Sequence, residues 1–348
     1  MNHSNAPNNK APDISFCLPV YNVENFLSAC IESIVSQDDG SFTYEIICVD
    51  DCSTDNTTAV LEGLSKTYPM IRIVKNEANS GVSYTRNQAV LNARGKYIWF
   101  VDPDDMLYPN AVSKMYAEAV SSDSKVILGN YITCTEDAVI KDFCTSSNHP
   151  TSFKILPAEG DVFLPESETG IRMCACVSGM FKRDFLTENN LRFNENMIAQ
   201  EDTLFYYQFS LRLESVTKYD GCCYIYRQRS SSVMHTKSPE RSKKYYHSMR
   251  TMHEVYCEHL RKGDYKNKEV LLKKIHHMKQ NITVCLAITP DTAFVKTQLK
   301  EIKHKKIYPY KFRKDALKTK ESLLRRLLFF LQPVEPFFWL LHLSGKIS

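Results

Sequence analysis

At 348 residues the chain can hold one large domain or a domain with an appendage, and its 43% hydrophobic and 24% charged composition is that of an ordinary globular protein. The net charge of +4 hides a division: from Thr236 onward 25 Lys and Arg face 10 Asp and Glu, whereas residues 1–235 hold 19 against 30. An acidic body suits holding a cation and a basic tail suits meeting an anionic surface. Twelve cysteines are numerous, but spacings such as Cys174-Ala-Cys176 and adjacent Cys222-Cys223 exclude a disulfide framework and a zinc knuckle. Reduced thiols in a cytosolic protein are expected. The polar start, MNHSNAPNNKAPD, has no apolar segment of a secretory signal, so residues 1–12 read as a disordered tail.

In chain order, ISFCLPV (14–20) is an apolar run expected as a buried strand. The helix after it places Phe26, Leu27, Cys30, Ile31, Ile34 and Val35 on one face. YEIICVD (44–50) is a second strand, and Ser53, Thr54 and Asp55 supply capping groups for a helix over 57–68. IRIVK (71–75) is a third strand, followed by an Asn/Ser/Gly loop and a helix over 82–93 ended by Gly95. YIWFV (97–101) is the fourth strand, then a helix (110–122) and a strand (125–133). Residues 134–172 read as irregular, and apolar character returns at 173–181. An aromatic helix (201–213) and a strand (222–226) complete the body. Beyond 240 the sequence predicts Lys-rich helices, for instance 243–260 and 265–288.

Strand and helix alternating at this spacing predict a mostly parallel α/β sheet flanked by helices, and such sheets bind ligands beyond the carboxyl ends of their strands. Asp50 and Asp51 close the second strand, and Asp102, Asp104 and Asp105 follow the fourth, so both acidic groups are expected on one rim. Asp102-Pro103-Asp104 puts two carboxylates beside a bend set by proline, a donor set for a hard divalent cation. An isolated Asp-x-Asp is more often an acidic turn, and the pattern alone leaves both readings open. An EF-hand is excluded because Ser113 stands at its twelfth position, and a haloacid-dehalogenase nucleophile is disfavoured by Met106. No GxGxxG follows the first strand, which excludes a dinucleotide dehydrogenase.

CLPVYNVENFLSACIESIVSQ, YEIICVDDCSTDNT, NSGVSYTRNQAVLNARGKYIWFVDPDD and a later QED, in this order, resemble the family 2 glycosyltransferases over residues 13–235. The resemblance implies a GT-A fold, a nucleotide-diphospho-sugar donor (UDP by family habit), Mn²⁺ or Mg²⁺, and inversion at the anomeric carbon. It implies that Pro19, Val20, Tyr21 and Asn22 wrap the nucleotide base, with Tyr21 as a stacking face, and that Asp51 accepts a hydrogen bond from the base. Cys52 stands where the family usually has Gly. Arg86 is expected on the diphosphate or base edge, Asp102 on the ribose or the metal, and Asp104 on the metal. Asp202 is expected as the general base and Glu201 as its acceptor-holding neighbour or substitute; an acidic first helical turn would otherwise only favour the helix dipole. YRQRSSSVMH (226–235) resembles a donor-closing loop, with Arg227 or Arg229 on phosphate and His235 near the metal. VSGMFKRDFL (177–186) resembles an acceptor-side segment in which Gly179 allows close sugar approach.

Residues 236–348 are expected as a helical basic extension. Ten Lys and Arg fall in 303–326, and LLFFLQPVEPFFWLLHL (327–343) is too interrupted to span a bilayer. Basic then apolar chain predicts an anchor on the cytoplasmic face of the membrane, against the alternatives of a packed helical hairpin or an oligomer contact. Nucleic acid is disfavoured because aromatics do not interleave with the charge. The expected function is a metal-assisted inverting glycosyltransferase acting on a saccharide or lipid-linked acceptor. The rivals are a non-catalytic nucleotide-sugar-binding module, and a sugar-phosphate nucleotidylyltransferase, which would want a glycine-rich loop where LPVYN has none.

Overall fold

The structure, a computed structural model, describes residues 11–143, 152–157, 175–229, 239–266, 268–289 and 291–304. Apolar runs become the central strands: β1 (Ile14–Val20) is buried throughout, and β2 (Tyr44–Asp50), β3 (Ile71–Lys75) and β4 (Tyr97–Phe100) lie parallel around it in the order β3-β2-β1-β4. Val20 sits in register with Asp50, and Cys17 with Phe100. The carboxyl ends of these strands therefore share one edge. Helices α1 (Leu27–Val35), α2 (Thr57–Thr67) and α3 (Val82–Asn92) make the crossovers. On α1, Leu27, Cys30, Ile31 and Ile34 repeat at helical spacing and are buried.

Past β4 the sheet continues through strands of mixed direction. β8 (Gly179–Lys182) pairs antiparallel with β4 and with β6 (Val126–Cys134), and β9 (Ser215–Arg227) pairs with β6 in parallel. β5 (Met106–Leu107), directly after the acidic turn, pairs antiparallel with β9, Met106 opposite Ile225. β7 (Phe153–Pro157) also pairs with β9, so the stretch read as irregular contains a strand, and β9 is longer than the expected 222–226. α4 (Val112–Ser121), α5 (Arg183–Glu188) and α6 (Glu201–Ser210) complete this part. Phe205 and Phe209 of α6 pack edge-on against Phe181, and Phe205 stacks on Phe193 at 4.3 Å, which brings the start of α6 to the rim.

The α2 cap differs from expectation. Thr57 N–H donates to Asp55 Oδ1, whereas Ser53 and Thr54 turn to Asn22.

The chain divides into two units, one reaching Thr236 together with Lys262–Val270, the other Lys237–Arg261 with the chain from Leu271 on. In the second unit α7 (Pro239–Lys262), α8 (Lys268–Ile288) and α9 (Thr292–His304) are the described elements, and Arg250 donates to Tyr246, Glu254 and Glu301. Among the described residues no helix is long and apolar enough to cross a membrane. The apolar end, residues 327–343, lies outside the described residues.

Gly179 is buried in β8 opposite Leu128, and a Cβ there would stand 2.0 Å from the Ile127 carbonyl oxygen. The missing side chain serves strand-to-strand approach inside the sheet. Gly179→Ala is expected to lower unfolding free energy by roughly 1–3 kcal/mol or more, read by chemical denaturation; an unchanged midpoint would contradict the packing account.

Candidate active site

Asp51 follows β2 and is 3% exposed. Its carboxylate accepts from Asn76 Nδ2 at 2.7 Å, Ser80 N at 2.9 Å and Gly81 N at 2.8 Å. Gly81, at φ +86, opens α3, so Asp51 fixes where that helix begins. Three of the roughly four acceptor positions of the carboxylate are thus used inside the chain, leaving about one for a ligand. Tyr21 is 43% exposed at the end of β1, a free aromatic face between the two acidic groups. Asn22, exposed and at φ +49, exchanges hydrogen bonds with Thr54 and braces the loop. Pro19 is buried within β1 opposite Val49, which corrects its place in the nucleotide loop: the strand runs past it, and the loop starts at Tyr21.

The Asp102–Asp105 turn is held from β9. Asp105, 1% exposed, accepts from Tyr224 Oη at 2.8 Å and from Arg227 N at 2.8 Å, while Asp102 N donates to the Tyr224 hydroxyl. Burial, then the charges of Asp104 and Asp102, push the Asp105 carboxyl well above the usual range. Asp105 is thus a brace, with its neighbours Asp102 and Asp104 more open. Asp104 pairs with Arg229 at 2.9 Å, and burial followed by the Asp102 charge raises its pKa. The Arg229 guanidinium lies 5.1 Å from the Phe26 ring centre. Arg227 is turned inward, donating to the Glu136 carbonyl, so of the two candidate phosphate arginines only Arg229 sits at the acidic turn's carboxylates. His235 lies outside the described residues.

Across the rim, Arg86 of α3 donates from Nη1 to Glu201 Oε1 at 2.9 Å and from Nη2 to Asp102 Oδ1 at 2.8 Å. Its side chain is 5% exposed, and its Nε has no hydrogen-bond partner among the described residues. Arg86 thus bridges two carboxylates 99 residues apart in number, Asp102 and Glu201. Asp202, two residues after Gln200 in left-handed backbone at φ +62, accepts from Thr203 N at 2.7 Å. Burial, then the Glu201 charge, lift its pKa to about 6, with Arg86 working in the opposite direction.

The family model described as glycosyl transferase family 2 matches residues 15–188, which span β1 to α5 and include Asp51, Arg86 and the Asp102–Asp105 turn. The chain belongs to glycosyl transferase family 2. Among curated relatives it is 32% identical to a poly(ribitol-phosphate) beta-glucosyltransferase of Bacillus spizizenii, over 59% of this chain and 30% of that protein. It is 26% identical to the poly(ribitol-phosphate) beta-N-acetylglucosaminyltransferase TarP of Staphylococcus aureus, over 74% and 75%. The match thus spans less than a third of the Bacillus protein's length. The fold is similar to that of S. aureus TarS residues 1–349 solved with UDP, at TM-score 0.56, 22% identity and 79% and 71% coverage. The same TarS segment solved with UDP-GlcNAc gives 0.55. The GT-A fold and family membership expected from the sequence are confirmed.

Within this family 2 fold, sequence reading had no signal for Tyr224 or for the Arg86–Glu201 pair, both made by contacts more than 100 residues apart. Because the Asp202 pKa of about 6 exceeds the unfolded value of about 3.9, its ionised form costs stability above pH 6, and that cost vanishes as pH falls through the window between the two values. Asp202→Asn is expected to raise the melting temperature more at pH 8 than at pH 4.5, by differential scanning calorimetry. Equal shifts at both pH values would contradict the raised pKa.

Proposed function

We propose that the chain transfers a sugar from a UDP-sugar to a hydroxyl of a saccharide or lipid-linked acceptor, with inversion at the anomeric carbon. The observation carrying this reading is the single rim on which Asp51, Tyr21 and Asp102–Asp104 meet, with Glu201 tied to it through Arg86. UDP is supported by the TarS structures solved with UDP and UDP-GlcNAc. A saccharide-type polymer acceptor is supported by the names of the relatives.

In this reading Tyr21 stacks on the base, and the remaining acceptor position of Asp51 takes an imide N–H. Asp102 and Asp104 offer hard oxygen donors, and burial first, then the Asp102 charge, raises the Asp104 pKa against the opposing effect of Arg229. Among the described residues no group of three or more His, Cys, Asp or Glu is arranged for a metal. Two carboxylates nonetheless fit Mg²⁺ or Mn²⁺, which take one or two carboxylates and fill the rest with phosphate oxygens and water. Bound there, such an ion supplies Lewis-acid stabilisation of the charge gathering on the leaving diphosphate. Arg229, beside Asp104, adds a second positive group near the same phosphates. As the acceptor oxygen bonds to the anomeric carbon, the bond from that carbon to phosphate oxygen breaks and its electron pair leaves with UDP. Asp202 takes the hydroxyl proton; a base with pKa about 6 is ionised at neutral pH yet basic enough to help. Glu201, already paired, steadies the acceptor side.

We further propose that the basic C-terminal region holds the enzyme on the cytoplasmic face of the membrane, which the charge of residues 236–348 supports. Removing residues 321–348 is then expected to move the protein from the membrane to the soluble fraction, and unchanged sedimentation counts against it.

The functional reading is tested by thermal shift with UDP-, GDP- and dTDP-sugars, with Mn²⁺ or with chelator. A UDP-sugar should raise the melting temperature only with Mn²⁺, and Asp104→Asn should remove that rise. Asp202→Asn should keep the rise but lose transfer, and wild-type kcat/KM should climb through pH 6. Stabilisation indifferent to chelator, or transfer by Asp202→Asn near the wild-type rate, would sink the mechanism; donor binding with no turnover would favour the binding-module rival.

A further inference from the structure

Both Nη ends of the Arg86 guanidinium are taken, and only its buried Nε is left without a hydrogen-bond partner among the described residues. Glu201 and Asp102 hold its two Nη ends, the Phe193 ring lies 5.3 Å from its central carbon, and the side chain is 5% exposed. A diphosphate has no route to it without breaking one of those pairs. The next residue on α3, Asn87, makes a second join to the same segment. Its Nδ2 donates to the Phe193 carbonyl and to Glu195 Oε1, both at 2.9 Å, and its Oδ1 accepts from Phe193 N at 2.9 Å. Residues 193–202, which lead through left-handed Gln200 into α6, are thus gripped by two consecutive residues of one helix. The other end of that helix is fixed by Asp51 through the N–H groups of Ser80 and Gly81.

We propose that Arg86 is a positioning residue: acting through Asp102 and Glu201, it holds the Glu201–Asp202 pair at a set place against the donor-side turn and makes no contact with the donor. The claim rests on the functional reading above only for which side is donor and which is acceptor. A guanidinium presents donors in a rigid fork that spans two carboxylates; a lysine ammonium is a point charge that serves one of them well. Without the fork, Asp102 and Glu201 each lose a cation and the acceptor-side segment loses its tie to α3, so the base drifts from the attacking oxygen. Misplacement on the order of 1 Å costs about a hundredfold in rate.

The test compares wild type with Arg86→Met, Arg86→Lys and Glu201→Gln, the last keeping an acceptor while removing the charge. UDP affinity is measured calorimetrically with MnCl₂, turnover as UDP release from UDP-N-acetylglucosamine, and tethering as hydrogen exchange over residues 199–204. Arg86→Met is expected to keep UDP affinity within about threefold while turnover falls about a hundredfold and exchange over 199–204 quickens. Arg86→Lys should recover less than about a tenth of the turnover, and Glu201→Gln should lose turnover with UDP affinity unchanged. A loss of UDP affinity of about tenfold or more in Arg86→Met, with turnover at saturating donor retained, would identify a donor ligand and overturn the proposal. So would full recovery by lysine, or unchanged turnover in Glu201→Gln, which stands in should Arg86→Met fail to fold. If wild type binds no UDP, the functional reading fails separately, and hydrogen exchange alone decides: unchanged exchange over 199–204 in either Arg86→Met or Glu201→Gln overturns the positioning role.

Discussion

The crowding of carboxylates at one sheet edge is the constraint around which the rest is arranged. Asp102, Asp104, Asp105, Glu201 and Asp202 converge there, and like charges this close cannot all remain ionised without cations or proton uptake. The chain answers in three ways. Asp102 and Glu201 share Arg86, Asp104 takes Arg229, and Asp105 and Asp202 are shifted toward their neutral forms. A buried ion pair is a poor source of stability, since desolvation consumes most of its Coulomb energy. Such a cluster is expensive as architecture, and its retention at the carboxyl edge of a parallel sheet makes sense when a ligand supplies further positive charge.

The same residues explain how distant parts of the chain are registered on one another. Asp51 sets the start of α3, α3 presents Arg86 and Asn87 one after the other, and those two hold the approach to α6. On the opposite flank, Tyr224 and the Arg227 amide hold Asp105, so β9 carries Arg229 to Asp104. The acidic turn is therefore gripped from α3 on one side and from β9 on the other. Aromatic packing of Phe193, Phe205 and Phe209 beneath α6 gives this polar frame a rigid floor.

Much of this was legible in the residues. Short apolar runs at 14–20, 44–50 and 71–75 became strands with those bounds, the first two almost wholly buried, as in a sheet covered on both faces, and the third only in part. The acidic rim followed from the parallel direction of the strands. What pattern could not reveal were pairings set by tertiary context. β5 is two residues long and exists because β9 lies beside it, and nothing local in Met106-Leu107 announces a strand. The resemblance implies a ligand-facing Arg86, and nothing local announces that one of its partners, Glu201, lies 115 residues away. Gly179, which the resemblance implies as a point of sugar approach, sits inside the sheet where a Cβ would clash with the Ile127 carbonyl. Pro19 sits within β1, tolerated because the register with β4 stops at Cys17.

The most direct check of the central claim is electron paramagnetic resonance of Mn²⁺ mixed with protein and UDP. If the rim holds a divalent ion jointly with a nucleoside diphosphate, the free six-line signal falls when protein and UDP are both present, and Asp104→Asn restores it to the level of UDP alone. A signal that wild type leaves as UDP alone leaves it, or that wild type and Asp104→Asn reduce equally, would contradict the account.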